Sequence, residues 1–397
     1  MIKTNKKKCD LVILVGGKGS RIKSYLKNLP KPMIKINNKS FLEYVLLHYS
    51  AYHFNKIYLL CGFRSNQIIK KYHKKKINFT EIICLTEKKP MGTGGALNII
   101  KKKINNDFIL VNGDTFVDFD LNKLIKKKTN NNIYMVVSDI KKNTGSKKLT
   151  NLNIKNKKII FSNKGKYFNN GIYKFSKNFL KKISKNHSSL ENDILKKEIL
   201  KKKVIPIISN NFFIDIGTPK SLLLAKKILA KKLTKSAVFL DRDGVINYDY
   251  GYVYKKKNFH FKKGVLNGLK YLIKKKYYIF IATNQSGIAK NKYSLVDFEN
   301  LHKWLKEKLF NYNIVIHETQ FCPFHKDATI KKYKKISKLR KPENLMIKKI
   351  FNNWHINLKK SFFIGDQISD EICANKSGIK FYYTKKNFFN LVKEILH

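Results

Sequence analysis

Short apolar runs recur in both halves of the chain, and several of them end in glycine, carboxylate or hydroxyl side chains. They occupy residues 11–15, 57–61, 108–111, 237–240, 278–282 and 362–364. Runs of this length, bounded by turn residues, are typical of buried strands. Stretches that mix apolar residues with lysine, such as residues 221–232 and 264–276, predict helices. The pattern therefore predicts an α/β fold, in which ligands bind at the carboxyl ends of strands.

Chain length predicts two domains. The chain has 397 residues and so exceeds the roughly 100–200 residues that one domain usually holds. The helix at 221–232 would close the first domain, and only residues 233–236 separate it from the strand at 237–240. We therefore expect one domain over residues 1–232 and a second over residues 233–397.

The chain is strongly basic, with 84 Lys and Arg against 26 Asp and Glu and a formal net charge of +58. Such a charge makes nucleic acid a partner to consider. The lysines, however, accompany abundant Asn and Ile along the whole chain and form no arginine-rich stripe, which is typical of an AT-rich coding sequence. We therefore expect no nucleic-acid partner, although the surface would attract phosphorylated metabolites.

The five cysteines are scattered and odd in number, which favours a reducing compartment over a disulfide framework. The basic leader and the short apolar run at 11–15 do not predict a signal peptide, and no segment predicts a membrane span. We expect a cytoplasmic protein without a membrane partner. The sequence is compatible with a homo-oligomer and does not indicate its size.

The first strand runs into a glycine-rich turn that contains Gly16, Gly17 and Gly19. Glycines at this position let backbone N–H groups approach phosphate oxygens, which Arg21 and Lys31 can neutralise. The spacing is neither that of a Walker loop nor that of a dinucleotide-binding fold. The turn therefore predicts a phosphate site of another kind.

A carboxylate, Asp114, follows the strand at 108–111, where a metal ion bridging two phosphate groups would need it. Together with the Pro-Lys-Pro-Met segment at 30–33, the glycine turn resembles the opening motif of the sugar-1-phosphate nucleotidyltransferase family. Further segments match that family in order, as far as about residue 232. They are residues 87–96, 112–114, 169–173, 189–191 and 213–219.

The resemblance implies a Rossmann-like, GT-A-like first domain in which a sugar-1-phosphate oxygen attacks the nucleotide α-phosphorus and pyrophosphate leaves. It assigns Arg21 and Lys31 to the phosphates and Asp114 and Asp215 to magnesium. Other positions that it assigns to nucleotide or sugar are Gly16, Gly17, Gly19, Glu87, Gly92, Thr93, Gly94, Asn170 and Glu191. Where relatives commonly carry a glutamate that holds the sugar, this chain has Asn163, so the sugar stays open.

The strand at 237–240 delivers Asp241 and Asp243, one residue apart, to its carboxyl end. Two carboxylates at this spacing can face one phosphate, one attacking and one handling protons, if a divalent cation offsets their repulsion. A hydroxyl or a lysine nearby would hold and neutralise the phosphoryl oxygens. Later candidates for this site are Thr283, Lys341, Asp366 and Asp370.

These motifs, in this order, resemble the haloacid-dehalogenase phosphatase superfamily. Within it, residues 241–247, 251–253, 283–289 and 340–342 resemble the heptose bisphosphate phosphatases, with histidinol phosphatases as close relatives. The match covers residue 237 to about residue 385. It implies a Rossmannoid domain without a large cap, because no long insertion follows the first motif.

By that resemblance Asp241 is the nucleophile that forms an aspartyl-phosphate, and Asp243 is the general acid/base. The phosphate ligands are Thr283, Asn284 and Lys341, with Arg340 for a second phosphate of the substrate. The magnesium ligands are Asp241, Asp243 and Asp366, with Asp370 behind them.

Relatives of this phosphatase type hold zinc with a Cys-x-His pair and a later Cys-x-Cys pair. Here only Cys322 aligns with such a ligand, and His325 is displaced by one residue. Two ligands do not make a closed tetrahedral site. We therefore expect magnesium at both sites, no zinc, and a loop that packs through Phe321, Phe324 and Tyr333.

Both resemblances concern sugar phosphates and meet in one pathway. They imply a bifunctional enzyme of nucleotide-activated heptose biosynthesis, for lipopolysaccharide or another surface glycan. It would remove the 7-phosphate of D-glycero-D-manno-heptose 1,7-bisphosphate and transfer a nucleotide, with GTP the favoured donor, to the 1-phosphate. One alternative is a mannose- or glucose-1-phosphate nucleotidyltransferase joined to a histidinol-phosphate-like phosphatase; another is a basic nucleic-acid-binding protein with inactive domains. The base and the anomer stay open.

Overall fold

The computed structural model describes residues 9–143, 145, 151–184 and 186–397, so the basic leader at residues 1–8 lies outside the described residues. The chain divides into two compact units. The first holds the residues up to Ser50 together with Phe54–Leu229, and the second holds Ala51–His53 and Ala230–His397. A boundary between residues 232 and 233 remains our proposal for the two domains.

The first unit alternates strands with mostly short helices. Its strands are β1 (Asp10–Leu14), β2 (Lys35–Ile36), β3 (Lys39–Ser40), β4 (Lys56–Cys61), β5 (Lys76–Ile77), β6 (Thr80–Thr86), β7 (Phe108–Asn112), β8 (Thr115–Val117), β9 (Ile133–Asp139), β10 (Leu152–Lys155), β11 (Lys158–Phe161), β12 (Tyr167–Phe175), β13 (Val204–Ile208) and β14 (Phe213–Asp215). Its helices are α1 (Lys23–Leu26), α2 (Phe41–Ser50), α3 (Ser65–Tyr72), α4 (Gly92–Gly95), α5 (Asn122–Ile125), α6 (Lys196–Leu200) and α7 (Pro219–Leu233), the last of which extends into the second unit.

The main sheet of this unit is mixed. Its centre, β7-β1-β4-β6, is parallel, whereas β12 joins β7 in the antiparallel direction. Residues 11–13 of β1 are fully buried, as an apolar run in a central parallel strand should be. Leu14 pairs with both Leu60 and Asn112, so the loops after β1, β4 and β7 meet at one edge. The register therefore places the glycine-rich turn beside the Asn112–Asp114 segment.

The second unit is a doubly wound domain. Its strands are β15 (Ala237–Leu240), β16 (Tyr278–Asn284), β17 (Glu318–Cys322), β18 (Phe362–Gly365) and β19 (Lys380–Tyr383). Its helices are α8 (Val265–Lys274), α9 (Ser286–Ala289), α10 (Leu295–Asn311), α11 (Leu345–Asn353), α12 (Ile368–Asn375) and α13 (Phe388–Leu396).

The five strands form one parallel sheet in the order β17-β16-β15-β18-β19. Leu240 pairs with Ile281 and Ile364, so the residues that follow these three positions meet at one edge. Residues 230–397, all of which are described, form no other sheet, which agrees with a domain that lacks a large cap. The predicted α/β class and the predicted helices at 221–232 and 264–276 are confirmed. In the part of the chain that the structure describes, we find no helix that combines the length and the apolar character needed to cross a bilayer.

Candidate active sites

A cavity of about 590 Å³ opens at the carboxyl ends of β1, β4 and β7 in the first unit. That volume is typical of a small-ligand site. The predicted residues that line it are Gly16, Gly17, Lys31, Glu87, Gly92, Thr93, Asp114 and Glu191. Lining residues that the sequence analysis did not assign to the site include Lys18, Asn112 and His187.

Glycines let the loops at this edge approach each other. A Cβ on Gly16 would lie 3.1 Å from the backbone nitrogen of Gly62. Gly19 has φ of 67°, and a Cβ there would lie 2.9 Å from Leu26 Cδ1 and 3.2 Å from Lys31 Cβ. A side chain at either position would therefore push the turn away from the cavity.

Two cations and two carboxylates gather beside the cavity. Lys31 is 7% exposed, and its Nζ forms an ion pair with Asp114. Asp215 ends β14, which pairs with β8 directly after Asp114. A Cβ on Gly217 would lie 3.1 Å from Asp215 Oδ1 and 3.8 Å from Arg21 Nη2, so these two side chains border the same glycine. Carboxylate oxygens are ligands that hard divalent cations prefer, so Asp114 and Asp215 fit such a metal.

The glycine segment of α4 is hydrogen-bonded to residues 188–191, which precede α6. The backbone nitrogen of Gly94 donates to the Ser188 carbonyl at 2.9 Å, and Thr93 Oγ1 donates to Glu191 Oε2 at 3.1 Å. Gly92 has φ of 74°, and a Cβ there would overlap the Ser188 carbonyl. The structure thus brings together three predicted residues of one segment and Glu191 of another.

Glu87 presents a half-buried carboxylate to the cavity. Its Oε2 accepts a hydrogen bond from the backbone nitrogen of Met91 at 3.0 Å. Burial raises the pKa of Glu87 above its usual range, although the Met91 N–H and His187 oppose the shift. The carboxylate is therefore desolvated enough for hydrogen bonds to a ligand to matter.

Five residues predicted for this site do not belong to the cavity lining, namely Gly19, Arg21, Gly94, Asn170 and Asp215. The clearest case is Asn170. Its side chain is fully buried, and Nδ2 donates to Ser138 Oγ at 2.8 Å. Successive residues of a strand point to opposite faces, and on β12 this residue faces the packed interior. Asn112, whose Nδ2 lies 3.5 Å from Glu191 Oε1, lines the cavity instead. This placement does not support a direct contact between Asn170 and a substrate.

In the second unit, Lys341 connects two aspartates. Its side chain is 1% exposed, and Nζ lies 2.9 Å from Asp241 Oδ1 and 2.5 Å from Asp370 Oδ1. Oδ2 of Asp370 accepts hydrogen bonds from the backbone nitrogens of Asp366 and Gln367, each at 3.2 Å. Both oxygens of Asp370 are thereby engaged by the protein, as expected of a residue that supports the site from behind.

Three carboxylates of this site approach closely enough to share a metal ion. One oxygen from each of Asp241, Asp366 and Asp370 lies within 4.8 Å of the others. Gly244 has φ of 78°, and a Cβ there would overlap the carboxylate of Asp366. Carboxylate oxygens are hard ligands, which fit a divalent cation. Asp243, which the resemblance places among the metal ligands, is not part of this group, and its role toward a metal stays a prediction.

The carboxylate of Asp243 is instead held by three side chains. Arg242 Nη2 donates to Oδ2 at 2.7 Å, Asn247 Nδ2 donates to Oδ1 at 2.9 Å, and Gln285 Nε2 donates to Oδ2 at 2.9 Å. Gln285 also donates to Thr283 Oγ1 at 2.9 Å. No role was expected for Arg242, Asn247 or Gln285, although all three lie inside the motifs that carry the resemblance. Their positions next to the predicted catalytic residues in the sequence could have indicated that they contact the site.

A reciprocal amide pair joins two motifs that are far apart in the chain. Asn284 Oδ1 accepts a hydrogen bond from the backbone nitrogen of Lys341 at 3.0 Å, and its Nδ2 donates to the Lys341 carbonyl at 3.1 Å. Thr283, which is 1% exposed, precedes this pair on β16. Arg340 is half-buried, and it has a buried Nη1 with no hydrogen-bond partner among the described residues. The pair thus places the Arg340-Lys341 segment beside the end of β16.

Burial dominates the electrostatics of this site. Burial, together with the charges of Asp370 and Asp243, raises the pKa of Asp241 to about 7 against the opposing effect of Lys341. Burial alone would lower the pKa of Lys341, but the carboxylates of Asp241 and Asp370 outweigh it and raise that pKa. A divalent cation would favour the ionised form of Asp241.

The loop after β17 is closed by packing and hydrogen bonds. Cys322 Sγ donates to the Phe324 carbonyl at 3.7 Å, and the rings of Phe324 and Tyr333 lie 6.0 Å apart. Lys335 Nζ lies 4.0 Å above the ring of Phe324. Among the described residues, Cys322 and His325 belong to no group of three or more potential metal ligands. The residues present do not fit a zinc site.

Comparisons with known proteins match both halves of the chain. The nucleotidyl transferase family matches residues 11–232, and the polynucleotide kinase 3 phosphatase family matches residues 238–392. A D-glycero-beta-D-manno-heptose-1,7-bisphosphate 7-phosphatase of Rhodopseudomonas palustris is 36% identical over 163 residues, which are 41% of this chain and 91% of that protein. A D-glycero-alpha-D-manno-heptose 1-phosphate guanylyltransferase of Campylobacter jejuni is 31% identical over 215 residues, which are 53% of this chain and 95% of that protein.

Among solved structures, HddC from Yersinia pseudotuberculosis is similar at 27% identity with a TM-score of 0.48, covering 56% of this chain and 99% of that one. The family match to residues 11–232 spans more than half of the 397 residues. The phosphatase match covers nearly the whole of its relative. The chain therefore belongs to the nucleotidyl transferase family and joins to that enzyme, in its second half, a phosphatase similar to the heptose bisphosphate phosphatases.

Proposed function

We propose that the chain removes the 7-phosphate of D-glycero-D-manno-heptose 1,7-bisphosphate and then transfers GMP from GTP to the heptose 1-phosphate, with release of pyrophosphate. The observation that carries this proposal is the pairing of relatives. The relative of the second half is named for removing phosphate from heptose 1,7-bisphosphate, and the relative of the first half is named for using heptose 1-phosphate. The first reaction yields the class of substrate that the second consumes.

The transferase half works by positioning and charge neutralisation. An oxygen of the sugar 1-phosphate attacks the α-phosphorus of the nucleotide, the bond to the β-phosphate oxygen breaks, and pyrophosphate leaves. Lys31 lines the cavity and is 7% exposed, and this low solvent exposure strengthens its effect on the phosphates. Arg21, which is exposed and lies near Asp215, adds a second positive charge. Asp114 and Asp215 would hold magnesium, which supplies further charge neutralisation to the triphosphate.

Glu87 supports a guanine base. Guanine presents two neighbouring donors, the N1–H and the N2 amino group, whereas a carboxylate offers two acceptors. Glu87 lines the cavity, and its Oε2 already accepts one hydrogen bond from Met91, which fixes the orientation of the carboxylate. A base that turns a hydrogen-bond acceptor toward the two Glu87 oxygens binds poorly, because the carboxylate then lacks a donor. We therefore propose that Glu87 selects GTP.

The phosphatase half proceeds through a phosphorylated Asp241. An oxygen of Asp241 attacks phosphorus, the bond to the sugar oxygen breaks, and that oxygen takes a proton from Asp243; water later releases the phosphate. Lys341, fixed 2.9 Å from the nucleophile, neutralises the phosphoryl oxygens, and Thr283 donates to them. Asp241 and Asp366 would hold magnesium, which supplies further neutralisation of the phosphoryl group, with Asp370 in support.

Two relatives differ in the anomer that their names give, which is beta for the phosphatase and alpha for the guanylyltransferase. One chain that performs both reactions in succession must use one anomer. Phosphate release occurs at position 7, far from the anomeric carbon, whereas the transferase reacts at the 1-phosphate itself. We therefore propose the alpha anomer for both halves, with Arg340 contacting the 1-phosphate in the phosphatase site.

The remaining features of the proposal concern the cell. We propose a cytoplasmic enzyme, because all five cysteines are buried and free. Its partners would be heptose phosphates and a nucleoside triphosphate, without nucleic acid or membrane, and a homo-oligomer is compatible with it. Its product would serve the assembly of surface glycans.

The test is a screen for phosphate release across sugar bisphosphates, histidinol phosphate and a 3′-phosphorylated oligonucleotide, followed by a nucleoside triphosphate panel with the dephosphorylated sugar. We expect release from heptose 1,7-bisphosphate and GTP-dependent pyrophosphate formation with the resulting 1-phosphate. Efficient release only from histidinol phosphate or only from the oligonucleotide would refute the proposed substrate. Equal use of GTP and UTP would refute the role of Glu87.

A further inference from the structure

Arg242, the residue between the two aspartates of the phosphatase site, carries a buried charge. It is 0% exposed. Its Nε donates to Oδ1 of Asp243 at 3.1 Å, and its Nη2 donates to Oδ2 at 2.7 Å and to the Val253 carbonyl at 2.8 Å. A buried guanidinium is tolerated only when it is paired and hydrogen-bonded. The planar guanidinium of Arg242 therefore donates to both oxygens of one carboxylate, which the ammonium group of a lysine could not do in the same geometry.

The other edge of that carboxylate is also held. Asn247 and Gln285 each donate to one oxygen of Asp243 at 2.9 Å. Gln285 is itself fixed, because its Oε1 accepts a hydrogen bond from the Tyr293 hydroxyl at 2.5 Å. These neighbours donate hydrogen bonds to both oxygens of the Asp243 carboxyl group. The orientation of Asp243 is thus set by its surroundings.

His302 lies on the far side of Arg242 from the carboxylate. Its Nε2 is 3.5 Å from Arg242 Nη1, and the residue is 2% exposed. Burial and the positive charge of Arg242 hold the pKa of His302 well below its usual range, so the ring is neutral and Nε2 can accept. The ring of Phe298 contacts both, with its centroid 4.3 Å from that of His302 and 5.6 Å from Arg242 Cζ. The guanidinium is thereby held at both ends.

We infer that Arg242, held from behind by His302, is the positioning residue that aims the carboxyl group of Asp243 at the leaving oxygen of the phosphatase substrate. This inference rests on the proposed role of Asp243. In the first step the bond between phosphorus and the sugar oxygen breaks, and the electron pair left on that oxygen takes the proton of Asp243. In the second step the Asp243 carboxylate takes a proton from the water that attacks phosphorus and frees Asp241.

A substrate whose leaving group needs no proton shows whether a substitution misplaces Asp243 or only destabilises the fold. A sugar alkoxide leaves poorly unless it is protonated, whereas p-nitrophenolate leaves without assistance. General acid–base catalysis contributes typically 10²–10⁴-fold, so Arg242→Lys, which keeps the charge and loses the planar guanidinium, should lower the rate on the sugar phosphate by about 10-fold or more. The rates compared are those of the first step, measured in single turnovers, because Asp243 acts in the second step with either substrate. On p-nitrophenyl phosphate the same variant should lose less than about 3-fold in this first-step rate.

Variants of His302 test the second member of the pair. His302→Gln keeps an acceptor that can reach Arg242, and His302→Leu removes it, so only His302→Leu should lower the sugar-to-p-nitrophenyl rate ratio. His317→Gln is a matched control, because His317 Nδ1 accepts from the backbone nitrogen of Ile279 at the opposite end of β16. This control should lower the melting temperature without changing the rate ratio.

The outcomes separate this inference from the proposed function. If the wild type does not hydrolyse the heptose bisphosphate, the proposed substrate is wrong, and the same ratio is then measured with another alkyl phosphate that the wild type turns over. Equal losses in the first-step rate on the alkyl and the p-nitrophenyl ester in folded Arg242→Lys, or no loss on either, would overturn the positioning role. A lower rate ratio in His302→Gln equal to that in His302→Leu would remove His302 from it.

Discussion

Single buried charges define the phosphatase site. Lys341 lies between Asp241 and Asp370 with a side chain that is 1% exposed. Removing one partner of a buried ion pair typically costs about 3–5 kcal/mol, because the remaining charge is left unpaired. Lys341 is therefore both a stabilising residue and the proposed ligand of the phosphoryl group, and one substitution should show both effects.

We expect Lys341→Met to lower the unfolding free energy of the phosphatase unit by about 3 kcal/mol and kcat for phosphate release by about 100-fold. Lys376→Met is the control, because Lys376 pairs with Glu343 on the surface, where its side chain is 42% exposed and such pairs contribute about 0–1 kcal/mol. Urea unfolding and initial rates measure the two effects. Unchanged stability in Lys341→Met would contradict the buried pairing.

Asp10, at the start of β1, links stability to pH. Burial raises the pKa of Asp10 to about 6 against the hydrogen bond from Lys56 N, whereas the unfolded value is about 3.9. The folded chain thus binds more protons at this group between these pH values, and the contribution of Asp10 to stability falls as pH rises through that window. Asp10→Asn should abolish this fall, on the order of 2 kcal/mol between pH 4 and pH 7. Parallel pH profiles of unfolding for wild type and Asp10→Asn would contradict it.

At the scale of elements, the strand ends were predictable because the apolar runs of β1, β7, β15 and β18 stop where polar residues begin. Parallel strands align their carboxyl ends, so Asp241 and Thr283 could be expected at one edge. The partners of those residues could not be read in the same way. Arg242 is more buried than any motif residue beside it, and its pairing with Asp243 depends on the fold of residues 243–253. A contact of Asn170 with substrate stays a prediction, because the direction of its side chain on β12 depends on packing that the sequence does not display.

The reciprocal pair between Asn284 and Lys341 gives an element-level prediction. Two hydrogen bonds at about 0.5–1.5 kcal/mol each hold the Arg340-Lys341 segment against β16. Asn284→Ala should therefore raise KM and lower kcat for phosphate release, with kcat/KM reduced by about 10-fold to 100-fold. Asn344→Ala, which removes a hydrogen bond to the Lys376 carbonyl, is the control and should lower stability alone. Equal kcat/KM losses in the two variants would contradict the pairing argument.

The loop after β17 supplies a prediction about metals. Cys322 and His325 are joined by no further ligand in the described part of the chain, whereas Asp241, Asp366 and Asp370 form an oxygen-only group. We expect phosphate release to need magnesium, to stop after chelation and to return when magnesium alone is restored. Elemental analysis of the dialysed protein should show no stoichiometric zinc. One zinc per chain that survives dialysis would contradict this account of the loop.

At the scale of the whole molecule, two sets of catalytic side chains occupy two compact units. The cavity of the first unit gathers Lys31, Asp114 and Glu191, and the sheet edge of the second gathers Asp241 and Lys341. The net charge of +58 attracts anionic substrates to either site without selecting between them. The selective features are local, so a substitution in one site should leave the other reaction intact.

The most direct test of the two-site account is Asp241→Asn assayed with heptose 1,7-bisphosphate and GTP. The variant should release no phosphate and form no GDP-heptose until heptose 1-phosphate is added, after which pyrophosphate should form at the wild-type rate, because the nucleophile serves one site only. Asp327→Asn, at a side chain that is 69% exposed, is the control and should resemble the wild type. Loss of both reactions in a folded Asp241→Asn protein would contradict two independent sites, and a 7-phosphorylated GDP-heptose formed at the wild-type rate would contradict the proposed order.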